Sequence, residues 1–118
     1  MATTPWGPPQ TKRVLAPGIV DYSTASHGGF HVSPDIRKTM PPELRFVETW
    51  AGPGWYEEDA DWAIVALAFP HLFEPRVVAA AITTVAQYHA SKIDLTKFYD
   101  TPAGQAVMER ADLAREAA

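Results

Sequence analysis

Cysteine is absent from all 118 residues, which excludes a disulfide framework, a thiolate metal site and a cysteine nucleophile. Long apolar runs are missing too. The longest, Trp62 to Phe69, has eight residues, and a bilayer span needs about 20. The chain opens on the polar, proline-rich MATTPWGPPQ, which is no secretory leader. These absences predict a cytoplasmic protein that does not meet a membrane. An excess of positive charge is also lacking: the net charge is −4 and the pI about 5.4. Direct nucleic-acid binding needs clustered lysine and arginine to displace counterions, so it is not expected.

What is present is ordinary globular material. Hydrophobic residues make up 47% and charged residues 20%, too apolar for a disordered chain. The length predicts a single domain over residues 1–118. Trp6, Trp50, Trp55 and Trp62 offer a small core ample area, and tryptophan is also a residue that interfaces favour. Charge is unevenly spread. Residues 43–74 carry seven acids against Arg45 alone, whereas residues 1–42 have a slight basic excess and residues 75–118 balance.

The patterning runs from strands to helices. Pro5, Pro8 and Pro9 predict an extended lead-in over residues 1–10, with Trp6 as the side chain able to pin it. Residues 11–50 read as strand-rich: Lys12 to Ala16, a Pro17-Gly18 turn of type II, Ile19 to Thr24, a Gly28-Gly29 break, then Phe30 to Val32. Ser33-Pro34-Asp35 starts a short helix that Pro41-Pro42 ends. Leu44 to Trp50 is a candidate fourth strand, and Gly52-Pro53-Gly54 forces a loop. Residues 59–116 read as helical. Asp59 to Phe69 forms a buried helix, and Pro75 to Ile93 carries Val78, Ala81, Ile82, Val85 and Tyr88 as an apolar stripe. Thr101-Pro102 starts a last helix to Glu116. The expected fold is α+β, a small antiparallel sheet from the N-terminal half packed against C-terminal helices. Its expected core includes Trp62, Ile64, Leu67, Phe69, Val78, Ile82 and Val85.

Two stretches could carry chemistry. In Ser23-Thr24-Ala25-Ser26-His27-Gly28-Gly29-Phe30-His31, His27 could serve as a base and Ser26 as a nucleophile, or the Gly28-Gly29 amides could approach a small ligand. Adjacent residues of an extended chain point to opposite faces, so a direct Ser26–His27 pair is poor. Hairpin-turn chemistry explains the same residues. His27 and His31 have the spacing of a helical zinc pair, but the glycines oppose a helix, and on a strand they would stand about 13 Å apart. No metal and no cofactor is expected. In Gly54-Trp55-Tyr56-Glu57-Glu58-Asp59-Ala60-Asp61-Trp62, four carboxylates are bracketed by aromatics. They suit a basic partner, a hard cation or acid–base work; equally, Asp59 or Asp61 could cap a helix. His71 and His89 read as core or helix-end histidines.

Thr4-Pro5-Trp6-Gly7, Ala16-Pro17-Gly18-Ile19-Val20, Ser23 to Gly29, Gly54 to Asp59 and Asp61-Trp62-Ala63 together resemble an uncharacterised small domain family of phages and bacterial mobile elements. The likeness spans roughly residues 4–70. It implies no activity, but it implies a setting in which small proteins often bind and block host machinery. The leading expectation is therefore an interaction module, an anti-defence inhibitor that uses the acidic, aromatic 48–62 region against a host protein with a basic surface. Its binding residues would be Trp55, Tyr56, Glu57, Glu58, Asp59 and Asp61, with His27, Gly28 and Gly29. The alternative is a small hydrolase or metal-dependent enzyme joining Ser26, His27 and His31 to Glu57, Glu58 or Asp59. Convergence of the His27 turn and the acid run in a cleft would favour the enzyme.

Overall fold

Pro17 and Gly18 start the sheet. In the computed structural model, which describes residues 3–116, β1 (Thr11–Ala16) reverses through them into β2 (Ile19–Ser23). Gly18 has φ +83°, the value a type II turn requires of its third residue. A Cβ there would also strike the side chains of Ile36 and Ser33. The next reversal is held by Thr24, whose hydroxyl donates to the His27 carbonyl at 2.7 Å and accepts the amides of Ser26 and His27. β3 (Gly28–Val32) follows, and β4 (Trp55–Glu57) completes a four-stranded antiparallel sheet in the order β1-β2-β3-β4. A register shift between Val14 and Ala16 bends the outer strand.

Three expectations need correction. Gly28 and Gly29 do not break the chain; they lie inside β3, paired with Ser23 and Tyr22 on one side, while Gly29 faces Glu57 on the other. A Cβ on Gly29 would hit the Tyr56 carbonyl and the Trp6 ring, so these glycines permit close packing. Leu44 to Trp50 is not a strand. Proline suits the first turn of a helix, and Pro42 opens α2 (Pro42–Arg45), following α1 (Pro34–Arg37). Phe46 and Trp50 are 75% and 84% exposed, whereas Leu44 is fully buried, so no common face exists. Finally, the lead-in folds back on itself, with Thr4 and Gly7 bridged across Pro5-Trp6; Met1 and Ala2 lie outside the described residues.

The helices then pack on the sheet and on one another. α3 (Trp62–Ala68) begins three residues later than the acids suggested. After a 3₁₀ turn at Pro70–Leu72 comes α4 (Pro75–Tyr88), which stops before Ile93. Asp94 caps α5 (Leu95–Tyr99) by accepting the Lys97 amide. The Thr101 hydroxyl accepts the Gly104 amide at 3.1 Å at the start of α6 (Pro102–Glu116). Ile19, Phe30, Val32 and Tyr56 from the sheet meet Ala63 to Leu67 of α3; Val78, Ala81 and Val85 of α4 and Val107 and Ala111 of α6 complete one apolar cluster. α3 has no charged side chain and five consecutive buried residues, so it is covered on all sides. Ile64, Leu67, Phe69, Val78 and Val85 are core as expected. Trp62 and Ile82 are half-buried at its edge, and Tyr88 is 56% exposed. Arg110 of α6 donates from Nε and Nη2 to the Phe73 carbonyl, at 3.0 and 2.8 Å. Among the described residues no helix is long and apolar enough to cross a membrane.

Candidate functional site

The acid run is shaped by Glu57, the last residue of β4. Alternation along the strand sends Tyr56 into the core and leaves Trp55 and Glu57 half-buried on the other face. The Glu57 carboxylate accepts three backbone amides: those of Asp59 at 2.7 Å, Ala60 at 2.7 Å and Asp61 at 3.0 Å. Burial alone would raise its pKa. The amides of Asp61, Asp59 and Ala60, with the His27 charge, outweigh burial and hold it below the ordinary glutamate value. Glu57 thus organises the approach to α3. The expected Asp59 or Asp61 cap is not the device used, because the Asp61 side chain makes no capping bond to α3.

Asp61 turns inward instead. It is 5% exposed, and beside it His89, just past α4, is 3% exposed. His89 Nε2 lies 3.2 Å from Asp61 Oδ1 and 3.4 Å from the Ala60 carbonyl. In the tautomer with its proton on Nε2, His89 donates to both oxygens. His89 Nδ1 is buried without a partner among the described residues. The other Asp61 oxygen, Oδ2, accepts the Trp50 amide at 3.1 Å. One buried carboxylate therefore ties the 46–54 loop to the end of α4.

Over that pair lies a groove of about 400 Å³. Trp50 from the loop and Tyr88 from α4 both line it and are both largely exposed, and Trp6, His27 and Asp59 complete its walls. Trp50 is held by its backbone while its ring faces solvent. Aromatic faces beside carboxylates attract cations such as lysine and arginine side chains.

The remaining candidates are scattered around this groove. His27 Nδ1 stands 3.6 Å from Glu58 Oε1, both side chains about half exposed. The His27 turn and the acid run therefore meet, but the run is divided. Glu57, Asp59 and Asp61 line the groove, whereas Glu58 lines another hollow with Asp21, Gly28 and Trp62. Ser26 is exposed on the turn, and no hydrogen bond joins its hydroxyl to His27 among the described residues. His31 leaves the group entirely. Its ring packs on Trp55 with centroids 4.4 Å apart, and burial lowers its pKa. Trp55 also packs against Trp6 and Tyr22. Tyr56 is 2% exposed, and Gly28 and Gly29 are buried within the sheet. Among the described residues no three of His, Asp and Glu form a group able to hold a metal ion. Trp50, Tyr88 and His89 were not singled out as site residues by the pattern of the sequence. Trp50 carried two signals, its residue type within the acidic, aromatic 48–62 region and the Gly52-Pro53-Gly54 loop next to it.

The model of a protein family, a domain of unknown function (DUF7007), matches residues 1–118. The chain belongs to this family. The match runs past residue 70 through all the C-terminal helices, where the sequence patterns carried no signature. No curated protein and no solved structure matches the chain.

Proposed function

We propose that this domain is a protein-interaction module that docks a basic segment of its partner in the groove between Trp50 and Tyr88. The observation that carries the reading is Trp50: a tryptophan 84% exposed whose backbone is fixed by a buried carboxylate. Rigid, exposed aromatics are the residues that dominate binding energy at interfaces. Asp59 on the groove wall, with Glu58 on the neighbouring hollow, supplies charge for steering a basic partner. In the phage or mobile-element setting that the sequence resemblance suggests, the partner is a host protein in the cytoplasm and the consequence of binding is inhibition of a defence function.

The test uses a ten-residue arginine-rich peptide as a surrogate partner, followed by capture from host lysate. Trp50→Ala with Tyr88→Ala is expected to weaken peptide binding about 30-fold, the loss of one hot spot of about 2 kcal/mol. The thermal midpoint should hardly move. A double variant that binds as well as the parent, or a parent that ignores basic peptides at low salt, overturns the reading.

A second reading is a small hydrolase built on His27 and Glu58, favoured by their 3.6 Å approach. It predicts hydrolysis of an ester substrate that is abolished by His27→Ala and retained by Trp50→Ala.

A further inference from the structure

The 46–54 loop also borders a second hollow, of about 330 Å³, lined by Arg37, Arg45, Phe46, Glu48, Gly54 and Tyr56 among others. Arg37 closes α1 and Arg45 closes α2, so two short helices deliver two guanidinium groups to one place. Arg13, Arg76 and Arg115 each have a carboxylate partner. Among the described residues Arg37 and Arg45 have none, in a chain whose net charge is −4. Arg45 is held in place by Nη1, which donates to the Lys38 carbonyl at 3.0 Å, and by the Phe46 ring, 4.7 Å from its guanidinium carbon. Its Nε is buried with no acceptor among the described residues, a costly state for a charged donor. Arg37 Nη1 reaches the same hollow beside Gly54, within ordinary van der Waals distance of where a Cβ would stand. At the back of the hollow, burial raises the pKa of the Tyr56 hydroxyl against the opposing charge of Arg37. That hydroxyl stays protonated at neutral pH and, among the described residues, donates only to the Met40 sulfur at 3.7 Å.

We propose that this hollow binds a phosphomonoester carried on an apolar or aromatic group. Two guanidinium charges match a dianion, and their forked donors fit the three terminal oxygens of a phosphate better than the two of a carboxylate. Phe46, 75% exposed at the rim, gives the group bearing the phosphate an apolar face. Glu48, exposed on the same rim, disfavours ligands with acids beyond the phosphate. None of these residues belongs to the Trp50 groove, so this proposal and the interaction module stand or fall separately.

Calorimetric titration at low salt with phenyl phosphate, inorganic phosphate and benzoate tests it. Phenyl phosphate is expected to saturate at one site, about tenfold or more tighter than either of the others. Arg37→Gln removes no side-chain hydrogen bond found among the described residues, so it should fold, and it should weaken phenyl phosphate about tenfold. Arg37→Lys, which keeps the charge but loses the fork, should recover only part of that. Phe46→Ala should erase the preference for phenyl phosphate over inorganic phosphate. A phosphotyrosine tripeptide then separates the two sources: tighter binding than phenyl phosphate indicates a peptide ligand, equal binding a small molecule, and either supports the proposal. No saturable binding, benzoate binding as tightly as phenyl phosphate, or an Arg37→Gln variant that binds normally overturns it.

Discussion

Asp61→Ala is the most informative perturbation of this fold. It removes the acceptor for two groups at once, the Trp50 amide at 3.1 Å and His89 Nε2 at 3.2 Å. Both partners stay buried or part-buried after the change, and an unmet buried donor costs about 1–3 kcal/mol. Two such losses come to about 2–6 kcal/mol, which brackets the ~3–5 kcal/mol typical of a buried pair deprived of one member. For a chain of this size each kcal/mol moves the thermal midpoint by roughly 4 °C, so a fall of about 10–20 °C is expected. Asp61→Asn keeps the volume and one acceptor oxygen and should lose about half as much. Urea unfolding and calorimetry of Asp61→Ala, His89→Ala and the double variant form a thermodynamic cycle. A coupling of about 1 kcal/mol or more is expected, since the two side chains touch. A single-variant loss below about 0.5 kcal/mol, or strict additivity, refutes the claim that this pair fastens the loop to α4.

Further expectations concern other parts of the molecule. The folded pKa of Glu57 lies below its ordinary value of 4.5, so its contribution is complete above that value and disappears as the pH falls through the lower folded pKa. Glu57→Gln should therefore lower stability at neutral pH by under about 1 kcal/mol, the side chain being half-exposed, and flatten the loss of stability in acid; an unchanged acid limb refutes this. Glu58→Gln should leave the thermal midpoint alone and flatten the salt dependence of association with a basic partner, a prediction that fails if the slope is unaltered. Leu44→Ala should cost about 2–5 kcal/mol, because its side chain is fully buried, and Ile82→Ala distinctly less. Equal losses at the two positions would contradict this division of core and edge. Elemental analysis of the purified protein should find no stoichiometric zinc or manganese; metal lost on His27→Ala would revive the metal-dependent reading.

The parts of the fold legible in the sequence are those governed by local rules. Pro17-Gly18 specifies its turn through backbone dihedrals, Ser33 its cap through one hydroxyl, and the Val78-Ala81-Val85 spacing its buried face, and each is found where expected. The acids at 57–61 were legible as a helix approach, but not which of them would do the work. Glu57 reaches forward to three amides only because β4 ends there, and β4 depends on pairing with the distant β3. Long-range pairing also explains Gly28 and Gly29. Their composition signals a turn, while the neighbouring strand and Trp6 make them close-packing positions instead. Phe46 and Trp50 invite burial by residue type, and only the three-dimensional arrangement reveals that Leu44 alone takes up the core position. The His89–Asp61 pair joins residues 28 positions apart and has no signature in either neighbourhood.

α3 carries one more implication. A seven-residue helix is far too short to persist alone in water, where isolated helices below about 12 residues are marginal. Trp62–Ala68 can hold its shape only while the sheet covers one side and the later helices cover the other. Neither half of the chain can then keep its structure without the other, and unfolding should be all-or-none, with no populated intermediate that preserves the sheet. In native-state hydrogen exchange the amides of Val65 to Ala68 should open only with the whole molecule, at the global free energy, while those of the mostly exposed last turn of α6 exchange by local opening.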